Sequence, residues 1–260
     1  MADMVESIKR NIDIKDDTRQ AFIVMRYEFM KFISGKKIFI YAAINLIILG
    51  IVAAIFFTSS GNTTTEGMMG DFVSFQSLTI LIGVTLFASV TLVSEFEERT
   101  SLLLFTKPIR KGSIFAGKFL AAYLLCFAFI IVYYFAAAIL TSIETGGFTS
   151  KMFPSLGYCA LDLFAYIGIA MLFSALMKKS SSASILTFVF ILLVPAIIQI
   201  VVSVAGNIDA WFMLNYAEAA MMYSISGTGS YDGLRDALVM LVWGIVPLIA
   251  SYFLFRGRQV

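Results

Sequence analysis

The chain has 260 residues, 60% of them hydrophobic and 14% charged, with a net charge of +2 and a mean hydropathy of +0.90. Soluble domains are nearer half apolar and about a quarter charged, so the composition argues against a soluble fold, and the near-neutral balance gives no global case for nucleic acid. Histidine is absent, which removes the commonest general base and metal ligand, and the two cysteines, Cys126 and Cys159, make neither a zinc site nor a disulfide framework and read as small apolar packing residues.

The first twenty residues are polar and of mixed charge, without the order of a cleaved signal peptide, so the first apolar run is expected to act as its own uncleaved signal. Thr18–Lys37 follows. Phe22, Met25, Phe29, Phe32 and Ile33 repeat at helical spacing while Arg19, Arg26 and Lys31 fall elsewhere. That pattern predicts an amphipathic helix in the inner membrane interface, broken at Gly35, or a solvated helix packed on a partner.

A membrane helix needs about 20 mostly apolar residues. Six runs meet that length, at 38–58, 72–94, 119–143, 155–177, 183–205 and 236–255. With both termini in the cytoplasm, seventeen of the nineteen Lys and Arg fall on the inner side, which is the expected bias. The expectation is an all-α integral membrane protein with six transmembrane helices, in the cell membrane. Residues 59–71 then form an external polar loop, in which Asn62-Thr63-Thr64 matches a glycosylation sequon by accident of composition. Residues 206–235 form an external segment, interfacial or re-entrant, with Asp209 as a helix start, Gly227 and Gly229 as its end, and Trp211, Tyr216 and Tyr223 at the outer interface.

Within the spans, Asp162 is the one carboxylate placed deep in an apolar run, with Tyr158 and Tyr166 four residues to either side on one helical face. Two readings stand: a proton or cation relay, or a protonated or hydrogen-bonded carboxyl that pins span four to a neighbour. Ser77, Thr85 and Ser89 in span two, with Gln199 and Ser203 in span five beyond Pro195, either line a substrate pathway or join helices. No catalytic set is present, and no metal site is expected.

The cytoplasmic stretch Glu95–Lys118 is acidic at its start and basic at its end. Its Gly112-Ser113-Ile114-Phe115-Ala116-Gly117-Lys118 spells the opening of a phosphate-binding loop, but Phe119 stands where Ser or Thr must hold magnesium, and no strand precedes it. The structural reading is that Gly112 and Gly117 relieve crowding while Lys118 snorkels to the interface.

The same stretch resembles the type-2 ABC transporter permease family. Glu95 and Glu97 fall on the family's acidic positions, Thr100 on its threonine, Leu103 and Leu104 on its leucine pair, and Pro108 on its proline. Arg110 or Lys111 falls on the basic position, and Gly117-Lys118 on the end of the motif; Arg99 stands where the family usually has glycine. The resemblance implies a single permease domain over residues 1–260 that forms a homodimer or heterodimer. It implies two separate ABC ATPase subunits, which carry the ATP and magnesium and receive a short coupling helix between spans two and three. It also implies export of a hydrophobic or amphiphilic substrate, with no enzyme activity on this chain. The alternatives are an ion-coupled secondary transporter or channel using Asp162, and a non-transporting membrane scaffold.

Overall fold

The computed structural model describes residues 2–58, 64–97, 110–205, 211–227 and 232–257, with the side chains of 2–16, 203 and 205 left aside. Among the described residues the chain is helical and contains no strand. Helix α1 runs Ala2–Ser34; Gly35 interrupts it, and α2 runs Lys36–Thr58. Helices α3 (Thr65–Ser74) and α4 (Gln76–Leu86) follow, then a turn at 87–92 and the short α5 (Val93–Glu97). Five more complete the order among the described residues: α6 (Lys111–Thr145), α7 (Met152–Leu176), α8 (Ser180–Ala205), α9 (Leu214–Ser226) and α10 (Gly233–Gly257). Among the described residues six stretches are long and apolar enough to cross a membrane: α2, α3 with α4, α6, α7, α8 and α10.

Helix α7 is the axis of the packing. It meets α10 at two glycines so close that a Cβ on Gly168 would stand 2.5 Å from the Gly244 carbonyl oxygen. Ser251 of α10 donates to the Met171 carbonyl at 2.8 Å, and Ser155 donates to Met221 of α9 at 2.7 Å. Small residues at a crossing let backbones approach, which is the main source of helix affinity where lipid offers no hydrophobic drive. Helix α6, at 35 residues, is about 52 Å long, well beyond the roughly 30 Å of a bilayer core. Gly146 closes it in the left-handed conformation at φ 68°.

The second span differs from the continuous run expected at 72–94. It starts at Thr65, breaks at Phe75 and ends as a helix at Leu86. Its hydroxyls explain the interruptions, because they bond to nearby carbonyls and compete with the helix. Ser74 donates to Asp71, Thr85 to Leu81, Ser89 to Thr85 and Thr91 to Phe87. Backbone groups near the breaks are met from other helices, as they must be where water is scarce. Tyr133 donates to the Phe72 carbonyl at 2.9 Å, and Tyr41 to the Thr79 carbonyl at 3.1 Å. The amides of Leu92 and Val93 both donate to Ser174 Oγ, at 3.0 and 3.1 Å.

Helix α1 is apolar on two sides rather than one. Met25, Phe29 and Phe32 turn toward the core, whereas Phe22 and Ile33, expected on the same face, are exposed together with Ile23, Tyr27 and Met30. The inner side lies on α6, where a Cβ on Gly117 would be 2.6 Å from the Ala21 carbonyl oxygen.

Candidate functional site

The segment between the second and third spans begins and ends on a buried ion network. Lys118, on α6, is 1% exposed, not snorkelled to the interface as its position in the sequence predicts. Its ammonium reaches Glu95 Oε1 of α5 at 2.8 Å, Glu28 Oε1 of α1 at 2.5 Å and the Thr91 carbonyl at 3.1 Å. Three donors thus meet three acceptors, which satisfies the lysine's full donor set. Packing explains the burial: Gly117 draws α1 onto α6, and that contact covers the residue beside it. The stretch Gly112–Lys118 is regular helix, so it offers no loop of free amides to a phosphate.

The other residues of this segment face different partners. Arg110, the N-cap of α6, bonds Asp17 Oδ2 of α1 at 2.6 Å. Lys111 Nζ donates to the Arg256 carbonyl at 3.1 Å, tying the start of α6 to the end of α10. Glu97 accepts from the Ser180 amide at 2.8 Å and from the Ser180 hydroxyl, and so caps α8. Those bonds, the hydroxyl's first, hold the Glu97 carboxyl below its ordinary pKa. Thr100, Leu103 and Pro108 lie outside the described residues, as does the coupling helix expected around them.

A second polar group gathers between α4, α7, α8 and α9. A cleft of about 360 Å³ is lined by Ser77, Tyr166, Pro195, Gln199, Asn215 and Glu218, with apolar walls. Tyr166 donates to Glu218 Oε1 at 2.5 Å, and Asn215 Nδ2 approaches Gln199 Oε1 at 3.5 Å. Ser77 lines the cleft beside Glu218, whose acidity burial weakens. Asp162 is fully buried next to this group, in the field of Glu218, and neither of its carboxyl oxygens has a hydrogen-bond partner. The pinning bond expected of it is therefore absent, and Tyr166 turns to Glu218 instead. Tyr158 is only half-buried. Thr85 bonds its own helix, whereas Ser89 shares a 2.9 Å hydrogen bond with Ser184 and so ties the turn after α4 to α8. The side chain of Ser203 lies outside the described residues. Among the described residues no group of three or more His, Cys, Asp or Glu could hold a metal ion.

Sequence reasoning missed Glu28, Asp17, Ser180 and Glu218. For Glu28 a signal existed: it falls on the stripe Ala21, Met25, Glu28, Phe32, at the spacing of a buried helix face. A carboxylate on such a stripe requires a cation opposite it.

A family model described as ABC-2 family transporter protein matches residues 24–195, from within α1 to Pro195 in α8. No curated protein matches the chain.

Proposed function

The chain belongs to the ABC-2 family of transporter proteins, and on that footing we propose that it is the membrane-spanning permease subunit of an ATP-driven exporter. In this reading separate ATPase subunits, two per complex, hydrolyse ATP on the cytoplasmic side, and two permease chains, identical or sister, enclose the path. Both termini and the 95–118 segment face the ATPases. The cargo is hydrophobic or amphiphilic, in keeping with a cleft whose polar groups sit among apolar walls.

The observation that carries the reading is the Lys118 network. It joins the two ends of the 95–118 segment to each other and to α1. A push on that segment from a soluble partner therefore moves α1, α5 and α6 as one body, because separating them exposes uncompensated buried charge. Residues 107–112 replaced by Gly and Ser test it. ATP turnover in the reconstituted complex should fall while the chain still inserts. Unchanged turnover with unchanged co-purification of the ATPase would overturn the lever.

One observation favours a second reading, ion-coupled transport through Asp162. A fully buried carboxyl without a hydrogen-bond partner is costly to keep, and inside membranes such groups mark ion pathways. That reading requires gradient-driven transport by this chain without any ATPase, abolished in Asp162→Asn.

A further inference from the structure

A cleft of about 390 Å³ opens where α1, α2 and the turn after α4 meet. Lys31, Lys36 and Lys37 line it beside an apolar floor that includes Phe32, Phe87 and Val90, with the Ser94 hydroxyl on one wall. Among the described residues none of the three lysines has an acidic partner. Glu28 also borders the cleft, but Lys118 holds its carboxylate. Even with the surplus negative charge of the Lys118 network counted, the cleft keeps a net positive charge. Lys31 and Lys37 border the same cleft, where like charges repel and an anion between them removes that cost. Lys37 Nζ reaches the Leu86 carbonyl at 3.3 Å and so leans over the cleft from the α2 side.

The depth of the cleft in the membrane follows from the sequence. Lys36 and Lys37 open a 23-residue apolar helix, so they lie at the level of the lipid headgroups. Directly beyond them Phe39 and Ile40 of α2 are exposed, 73% and 52%. Cationic rim, apolar floor and bare apolar flank occur in that order from the interface inward, which is the order of phosphate, glycerol and acyl chain in a phospholipid.

From this arrangement we infer that the cleft is a specific binding site for an anionic phospholipid. Its phosphate lies among Lys31, Lys36 and Lys37, and its chains lie over Phe87 and Val90 and along α2. Three ammonium groups suit a phosphate as point charges, and basic pockets between membrane helices select anionic headgroups. The bound lipid clasps α1, α2 and the broken end of the second span. It would therefore tighten the joint between α1 and α2 at Gly35. The inference needs only the membrane reading of the chain; it does not depend on ATP-driven export.

Native mass spectrometry of the full chain in mild detergent tests it, with phosphatidylglycerol, phosphatidylcholine or inorganic phosphate added in separate arms. Phosphatidylglycerol should be retained at least tenfold more than phosphatidylcholine, and inorganic phosphate should neither be retained nor weaken lipid retention at equal concentration. Lys31→Gln/Lys36→Gln/Lys37→Gln should lose that preference, and Lys178→Gln/Lys179→Gln, with two charges removed beside Ser180, should keep it. Val90→Trp fills the floor with the lysines intact and should also lose retention, which separates a shaped site from diffuse attraction. Equal retention of the two lipids by the native chain, full retention by the triple variant or by Val90→Trp, or displacement by phosphate alone would overturn the inference.

Discussion

Lys118 Nζ lies 2.8 Å from Glu95 Oε1, and this pair closes the two ends of the segment that joins the second and third spans. Twenty-three positions separate the two residues in the sequence, and both are buried, 1% and 8% exposed. Glu28 of α1 makes the pair a triad. A buried ion pair adds little over an apolar replacement, but breaking one strands a charge.

Lys118→Met leaves two facing carboxylates without their cation. It should destabilise the protein by about 3–5 kcal/mol, the range for a broken buried pair. Adding Glu28→Gln and Glu95→Gln should recover much of that loss. Thermal unfolding in detergent reads both, and a triple variant no better than Lys118→Met would show that the network matters for reasons other than charge balance.

Gly168→Ala puts a Cβ 2.5 Å from a backbone oxygen that has no flexible end to move. Forcing α7 from α10 should cost about 1–3 kcal/mol, as overpacking does. Gly50, on α2, has nothing within 4 Å of its Cβ position. Gly50→Ala should leave stability unchanged or raise it by up to about 1 kcal/mol through helix propensity. Equal melting shifts for the two variants would refute the close crossing.

Glu97 titrates below the ordinary carboxylate range because its charged form accepts two bonds from Ser180. A depressed pKa contributes stability above the unfolded value, about 4.3, and loses it as pH falls through the folded value. Hydrogen exchange at the start of α8 should be slower in the native chain than in Glu97→Gln at pH 6. The difference should shrink as pH falls below the unfolded value and through the folded one. A difference that stays constant across that range would show that the carboxylate does not cap α8.

Asp162→Leu replaces two unpartnered buried oxygens with an apolar side chain. Because the native group has no bond to lose, stability should rise, by about 1–3 kcal/mol for the removed desolvation cost. If transport falls in the same variant, the carboxyl serves the cargo or an ion rather than the fold. A drop in melting temperature would mean that Asp162 has a partner after all.

The six apolar runs were legible because a bilayer imposes a length and a composition that no local detail overrides. The helix through Met25, Phe29 and Phe32 and its stop at Gly35 were legible for the same kind of reason, a period of 3.6 and one glycine. The break at Phe75 and the turn at 87–92 were not. They arise from local hydrogen-bonding choices of serines and threonines such as Ser74, Thr85, Ser89 and Thr91, each of which suits a helix nearly as well. Lys118 near a span end fits snorkelling by every local rule; only Gly117, drawing α1 over it, decides otherwise. The acidic neighbour of Asp162, Glu218, escaped notice because it belongs to α9, a segment expected outside the spans, yet α9 packs on α7 through Ser155 and Met221.

The touching backbones of Gly168 and Gly244 also bear on which helices can part. Two helices joined at van der Waals distance, and held again by Ser251, form a shut seam with no gap to widen. Helix α8, by contrast, has few buried residues; it meets α7 where Phe190 packs on Phe173 and the turn after α4 through Ser184. The crossing of α7 and α10 is thus a rigid seam, whereas α8 lies as a looser leaf along the cleft that Gln199 and Glu218 line.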